Sequence, residues 1–291
     1  MELQLLNGDC LELMKELNDN SIDLLFTDLP YGEIAAKWDI NIDLEQFWKQ
    51  VNRICKINAP MFFCCSARFG SSLIQSNPKN FRYDMVWKKS CPCGFLNGRK
   101  MPLRIHELVY VFYRKIPFYD ISSHIHKYVD VTVDEEKEPF VVKEEDIMKT
   151  DVYRDGLLTN KSYYKSQKKV KPLPEGVVYD VPSAKFSELN SCYGARRYRY
   201  KNRAGDANNY EPRLPVSVLE IKSEKGKHPT QKPVELMKWC LKYYSKEGDV
   251  VLDPTAGSGS TGVACKEMNR KFIGIEKDEK IYNDAKIRLG L

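Results

Sequence analysis

The sequence predicts an α/β protein: an open, mainly parallel sheet flanked by helices and interrupted by an inserted segment. Three observations carry that expectation. Residues 249–252 are a short apolar run that enters the turn Asp253-Pro254-Thr255-Ala256-Gly257-Ser258-Gly259-Ser260-Thr261-Gly262, and residues 263–268 then read as helix. Residues 3–6 and 10–17 repeat the order of strand, turn and helix around Asn7-Gly8-Asp9. From about 120 to 225 that rhythm stops, and Lys, Arg and Tyr take over.

Taken in order, the strand at 3–6 closes on Asp9, which then opens a helix. Open α/β sheets keep ligand-contacting side chains at such strand ends. Asp is also a favoured helix N-cap, and the two roles coexist. The next strand, 21–27, runs into Asp28-Leu29-Pro30-Tyr31-Gly32. An acid, a carbonyl and an aromatic stand together there. Pro30 holds the preceding residue extended, which fixes where the Leu29 carbonyl points. Two acceptors on the N–H bonds of an exocyclic amine would localise its lone pair, and Asp28 and the Leu29 carbonyl supply two. Tyr31 offers a ring on which an everted base can stack, worth roughly 1–3 kcal/mol. By itself a proline turn after a strand is common.

A helix is expected from Phe47, then strands at 61–65, 83–88 and 107–113. The Gly/Pro-rich stretch 91–102 reads as a loop, and Arg99, Lys100 and, just beyond it, Arg104 suit phosphate contacts or a solvated basic loop. Residues 134–146 are acidic and read as solvated surface. Residues 151–227 hold 16 Lys and Arg against 9 Asp and Glu, an excess larger than the +6 of the whole chain. Aromatics interleave with these bases, as in Tyr163-Tyr164-Lys165 and around Arg196, Arg197 and Arg199. Such a segment fits a polyanion. Pro233 suits the first turn of a helix over 234–244.

The glycine turn matches the spacing of a dinucleotide fingerprint, but its first residue argues against a pyrophosphate. Asp253 puts a carboxylate at the strand tip, which repels phosphate and welcomes an ammonium. Glu276, at the end of the strand 271–275, stands about 20 positions past the first glycine, placed for ribose hydroxyls. A cofactor with a ribose and an ammonium but no phosphate is S-adenosylmethionine (AdoMet). Nine Cys, an odd number without paired Cys-x-x-Cys spacing, speak against a disulfide framework or a zinc site. No metal is expected. No run of 18 apolar residues exists, and Met1-Glu2-Leu3-Gln4 is no signal peptide, so a cytoplasmic protein without a membrane partner is expected.

With these stretches in hand, the chain resembles the amino-methylating DNA methyltransferases, adenine-N6 and cytosine-N4. Asp28-Leu29-Pro30-Tyr31 resembles their Asp-Pro-Pro-Tyr motif, and residues 253–259 resemble their cofactor loop. Asn7-Gly8-Asp9-Cys10, Lys37-Trp38-Asp39, residues 94–106 and His228-Pro229-Thr230-Gln231-Lys232-Pro233 add to the match. The order, catalytic motif first and cofactor loop last, is similar to the permuted subgroup called beta. The resemblance implies a seven-stranded, mainly parallel Rossmann-like sheet with one antiparallel strand, circularly permuted so that its first strand lies near Val250. It divides the chain into a catalytic part (1–119), a target-recognition insertion (120–226) and an AdoMet-binding part (227–291).

The same resemblance implies methyl transfer to a flipped base in specific double-stranded DNA sites. Asp28, Leu29, Pro30 and Tyr31 are the catalytic residues it assigns. Asp9, Cys10, Asp28, Lys232, Asp253, Thr255, Gly257, Ser258, Gly259, Ser260, Thr261 and Glu276 would hold the cofactor, Lys232 through its carboxylate. Arg99, Lys100, Arg104, Arg196, Arg197 and Arg199 would contact DNA. An Asp at the head of the motif favours adenine N6, since Ser there more often marks the cytosine-N4 enzymes. The alternatives are cytosine N4 and a catalytically inactive DNA-binding subunit. The family admits a homodimer and a companion restriction endonuclease. The one departure is Leu29 in place of the first proline, which keeps the carbonyl and gives up some rigidity.

Overall fold

A computed structural model describes residues 2–33, 39–126, 152–154, 157–159, 210–224 and 231–291. The chain divides into two compact units, Met1–Ser122 with Val216–Leu291, and Ser123–Pro215. The first unit begins β1 (Leu3–Asn7), α1 (Cys10–Leu13), β2 (Leu24–Thr27), α2 (Leu44–Ile54), β3 (Met61–Cys65), α3 (Ala67–Ser76), β4 (Phe81–Cys93) and β5 (Arg104–Phe112). The second unit holds two short antiparallel pairs, β6 (Ile125–His126) with β9 (Tyr210–Glu211), and β7 (Val152–Arg154) with β8 (Leu157–Thr159). The first unit resumes with β10 (Val218–Glu220), α4 (Val234–Tyr244), β11 (Val250–Asp253), α5 (Ser260–Glu267), β12 (Lys271–Glu276) and α6 (Glu279–Leu289).

The main sheet runs β1-β12-β11-β2-β3-β5-β4-β10. All its pairings are parallel except the two made by β5, so a single strand is reversed, as expected. The count is corrected from seven strands to eight. The additional one, β10, is three residues long and pairs at the β4 edge, with only Leu219 buried. So short a segment has no period to read, and it lies inside the stretch expected to be insertion.

Alternation along the strands feeds two cores. Leu24 and Phe26 join Phe62 and Cys64 on one face, under α4, α5 and α6. Leu25 joins Met61, Phe63 and Cys65 on the other, under α2 and α3. Because both faces are covered, β3 is an unbroken apolar run, Met-Phe-Phe-Cys-Cys, buried at every residue. α2 buries Phe47, Trp48, Val51 and Ile54 at helical spacing. Each such side chain contributes about 1.5–3 kcal/mol of burial. Asp43 caps this helix, accepting from the N–H groups of Glu45 and Gln46 at 3.0 and 3.1 Å. α3 and α6 had not been foreseen: the apolar residues of α3 are few, and α6 buries only Ala285 and Leu289.

The parallel strands β1, β12, β11 and β2 all end on one edge of the sheet. Open α/β sheets bind ligands outside that carboxyl edge.

Candidate functional site

At this edge lies a cleft of about 450 Å³. Its floor is set by strand pairing. β11 and β2 are neighbours, with Leu252 beside Leu25, so Asp253 and Asp28 emerge side by side although the sequence separates them widely. Thr255 joins the two tips. Its hydroxyl meets that of Thr27 at 2.8 Å and the backbone oxygen of Asp28 at 3.2 Å.

Most of the expected ligand-holding residues converge here. Asp9, Cys10, Asp28, Lys232, Asp253, Thr255, Gly257, Ser258, Ser260, Thr261 and Glu276 all line the cleft. Gly259 does not. It is the left-handed N-cap of α5 at φ 76°, and a Cβ there would face Ala285 and Leu289 at 3.5 Å. Gly257 also needs a positive φ, 52°, which lets the turn present its backbone to the cleft. Of the four residues of the second motif, Asp28 and Pro30 line the cleft. Leu29 packs its side chain into the core, the residue being only 2% exposed.

The cleft is acidic. Asp253 is 4% exposed. It accepts from the Thr255 N–H at 3.2 Å and from the Thr261 hydroxyl at 2.6 Å. Burial nonetheless pushes its carboxyl up to about 7, with Asp28 and Glu276 adding like charge. Glu276 accepts from the N–H groups of Gly257 at 2.9 Å and Asp278 at 2.8 Å. Burial raises it as well, against those bonds. Asp9 caps α1 through the Leu11 N–H at 2.9 Å and pairs with Lys277 at 3.0 Å. Burial alone would raise Asp9, but Lys277 and the Leu11 N–H bring it below the usual carboxylate range. Burial pushes the Cys10 thiol up to about 12, so it lines the cleft as an uncharged group. Carboxylates outnumber cations on these walls, which suits a cationic ligand.

At the second tip, both oxygens of Asp28 are engaged. Oδ1 accepts from the Tyr31 hydroxyl at 2.5 Å, and Oδ2 is ion-paired with Lys232. Tyr31 stacks one ring face on Phe69, with centroids 5.0 Å apart. Burial and the Asp28 charge raise its phenol well above the ordinary value. The backbone beyond is held by Asp39, which accepts from the N–H groups of Tyr31, Gly32 and Glu33 at 2.7, 2.9 and 2.7 Å. Ser66, the α3 cap, donates to Glu33 at 2.6 Å. Lys232 also faces Glu107 at 3.4 Å, and Glu107 is paired with Lys89. Burial opposes the charges of both Lys232 and Glu107, yet Asp28, with Glu107 behind it, keeps the lysine above its usual range, and Lys232 with Lys89 keeps the Glu107 carboxyl below its own.

Arg99, Lys100 and Arg104 are exposed on the β4–β5 hairpin. Arg196, Arg197 and Arg199, together with His228 and Lys37-Trp38, lie outside the described residues. Sequence reasoning missed the wall made by Ile40, Asn41 and Ile42, the apolar contribution of Phe26, Met237 and Ile281, and the roles of Asp39 and Glu107. It also missed Arg288 of α6, which donates to the Ser258 carbonyl and hydroxyl and to the Ser260 hydroxyl, each at 3.1 Å. One signal was available. Glu107 is a charge at the head of the apolar run 108–112, and such a charge, where it is buried, needs a partner.

A family model described as DNA methylase matches residues 22–287. The type II methyltransferase M.HindIII of Haemophilus influenzae is 49% identical over 78 residues, 26% of this chain and 25% of that protein. M2.LlaDCHI of Lactococcus lactis subsp. cremoris is 50% identical over 73 residues, 24% of this chain and 27% of that protein. The matched stretches thus span about a quarter of these relatives. Among solved structures, the M1.HpyAVI–SAM complex is 21% identical with a TM-score of 0.56, covering 99% of this chain and 100% of that one. PvuII DNA methyltransferase, titled cytosine-N4-specific, is 15% identical with a TM-score of 0.57, covering 98% and 85%. At these identities the two structures speak to fold.

Proposed function

The chain belongs to the DNA methylase family, and from that premise we propose that it transfers a methyl group from AdoMet to the N6 amine of adenine in double-stranded DNA. One observation carries the reading: the Asp28 tip and the Asp253 turn open onto one acidic cleft, tied together through Thr255. The residues present fit AdoMet. Asp253 is a buried carboxyl that accepts one bond at each oxygen and keeps lone pairs for a ligand ammonium, whose charge would favour its ionised form. Glu276 is oriented by two backbone N–H groups and keeps lone pairs for ribose hydroxyls. Phe26, Ile42 and Ile281 give apolar wall for a purine. The volume falls within the range of small-molecule sites, roughly 300–1,000 Å³. When bound, AdoMet supplies an electrophilic methyl on a sulfonium.

The protein's work is positioning and electrostatics. Asp28 and the Leu29 carbonyl take the two N–H bonds of the target amine, so that its lone pair points at the methyl. Tyr31 presents its ring to the flipped base, backed by Phe69 on one face. Asp39 keeps the Tyr31–Glu33 backbone in place. Arg99, Lys100 and Arg104 contact phosphates, and the basic segment within 120–226, with Arg196, Arg197 and Arg199, recognises the target. Lys232 lines the cleft, and its ammonium is engaged by Asp28 rather than left free for the cofactor's carboxylate. Adenine is preferred to cytosine because the motif opens with Asp rather than Ser.

The test is incubation with labelled AdoMet and unmethylated genomic DNA, followed by digestion to nucleosides and mass spectrometry. Label on adenine N6 is expected. Label on cytosine N4 would keep the mechanism and replace the base. No label on DNA would overturn the proposal.

A further inference from the structure

Asp28 has two donors already, and one of them is a cation. The expected substrate amine must share that carboxylate with the Lys232 ammonium. Attack on a sulfonium methyl moves positive charge onto the amine nitrogen. A lysine fixed on the same carboxylate opposes that build-up and takes up the negative charge that would stabilise it. The arrangement therefore raises the question of where Lys232 goes.

The surroundings supply a place. Glu107 stands on β5 opposite Trp87 of β4, and the next residue, Leu108, pairs with Cys65 of β3. Its Oε1 is ion-paired with Lys89, which holds the carboxylate in place. Its Oε2 is buried and, among the described residues, makes no well-formed hydrogen bond; Lys232 approaches it at 3.4 Å. An unpartnered buried carboxylate oxygen is costly unless some state of the protein uses it. A shift of about half an ångström would bring the ammonium into hydrogen-bond range. The cluster holds two cations, Lys89 and Lys232, and two carboxylates, Asp28 and Glu107. Moving Lys232 between the carboxylates leaves its net charge unchanged.

We propose that Glu107 is a positioning residue, the second seat for the Lys232 ammonium, which leaves Asp28 for Glu107 Oε2 when a substrate amine takes up Asp28. The proposal rests on the reading of Asp28 as the acceptor of the target amine. Glu107 does not touch substrate. It acts through Lys232, by keeping that charge satisfied away from the reacting nitrogen.

The experiment combines single-turnover methyl transfer to a duplex, calorimetric AdoMet affinity, and NMR of the Lys232 ammonium in ¹⁵N-lysine-labelled protein. Glu107→Gln should slow transfer by at least about tenfold while AdoMet affinity stays within about twofold, the pattern of an interaction that matters in the transition state. Glu107→Asp should recover part of the rate. In wild type, adding S-adenosylhomocysteine and the duplex should move the Lys232 resonance; in Glu107→Gln it should not move. A wild-type rate in Glu107→Gln overturns the proposal, as does a loss of rate matched by an equal loss of AdoMet affinity. A wild-type Lys232 resonance unmoved by ligands also overturns it, and that measurement stands even if Glu107→Gln does not fold. Wild type that methylates no duplex overturns the function reading and the exchange resting on it. Normal transfer by both wild type and Glu107→Gln removes the exchange alone.

Discussion

The two acidic strand tips of the cleft are built on opposite plans. Asp253 is held from within its own turn, by groups two and eight residues away. Asp28 is held from across the chain by Lys232, at a separation of 204 residues, as well as by the nearby Tyr31 hydroxyl, while Asp39 pins the backbone that follows it and Ser66 holds the Glu33 side chain. The local cage keeps its shape wherever the turn folds. The dispersed one exists only once the sheet has assembled and α4 has docked. A carboxylate caged by its own loop suits a group that binds. One whose partners come from several elements suits a group whose contacts change during a reaction.

Substitutions can break or sharpen this contrast. The largest effect is expected at Asp28. Asp28→Ala should retain AdoMet binding by calorimetry yet lower turnover by roughly 10³-fold, since it removes the charge acceptor at the reacting amine. Normal turnover would remove Asp28 from the mechanism.

Asp39→Ala comes next. It strips the partner from three backbone N–H groups, which costs about 1–3 kcal/mol of stability. Turnover should fall by roughly 10–100-fold through misplacement of Tyr31, with AdoMet affinity preserved. A thermal melt and a single-turnover assay separate the two effects.

At Asp253 the expected signature is a pH dependence. Burial raises its carboxyl to about 7. The ligand-free protein is therefore favoured with Asp253 protonated, a stability present at low pH and lost as pH rises through about 7. Binding an ammonium needs the ionised form, so AdoMet affinity should rise between about pH 6 and pH 8, with proton release below the midpoint. Asp253→Asn should weaken binding and flatten that profile. Calorimetry in buffers of different ionisation enthalpy measures both. A wild-type affinity flat across this range would mean that Asp253 does not pair with the cofactor's cation.

The smallest effect belongs to Arg288. Its three bonds brace the Ser258–Ser260 part of an otherwise self-contained turn. Arg288→Ala should weaken AdoMet binding only a few-fold, about 0.5–1 kcal/mol, with little change in melting temperature. A loss of tenfold or more would mean that the turn is not local after all.

Legibility in the sequence follows the same division. The turn at 253–262 was readable because its chemistry is contiguous: strand, carboxylate, glycines and helix follow one another, and Glu276 lies one strand on. The tip at 28–31 was readable as a motif. The buried side chain of Leu29 is compatible with a role confined to its carbonyl. The partners of that tip were not readable. Asp39 was visible only as part of Lys37-Trp38-Asp39, and nothing in its spacing revealed that it accepts three backbone bonds. Glu107 gave a faint signal as a charge at the head of an apolar run, without saying which cation it meets. β10 escaped because three residues carry no period.

By itself, then, the chain determined the alternation of strands and helices, the two acidic strand tips and the acidic, phosphate-averse character of the glycine turn. These depend on local periodicity, backbone φ and the identity of neighbouring residues. Tertiary structure alone decided that the two tips share one cleft, that Lys232 stands between Asp28 and Glu107, and that an eighth strand closes the β4 edge. Those facts depend on strand order and helix docking, which bring together groups whose separation along the chain leaves no pattern to read.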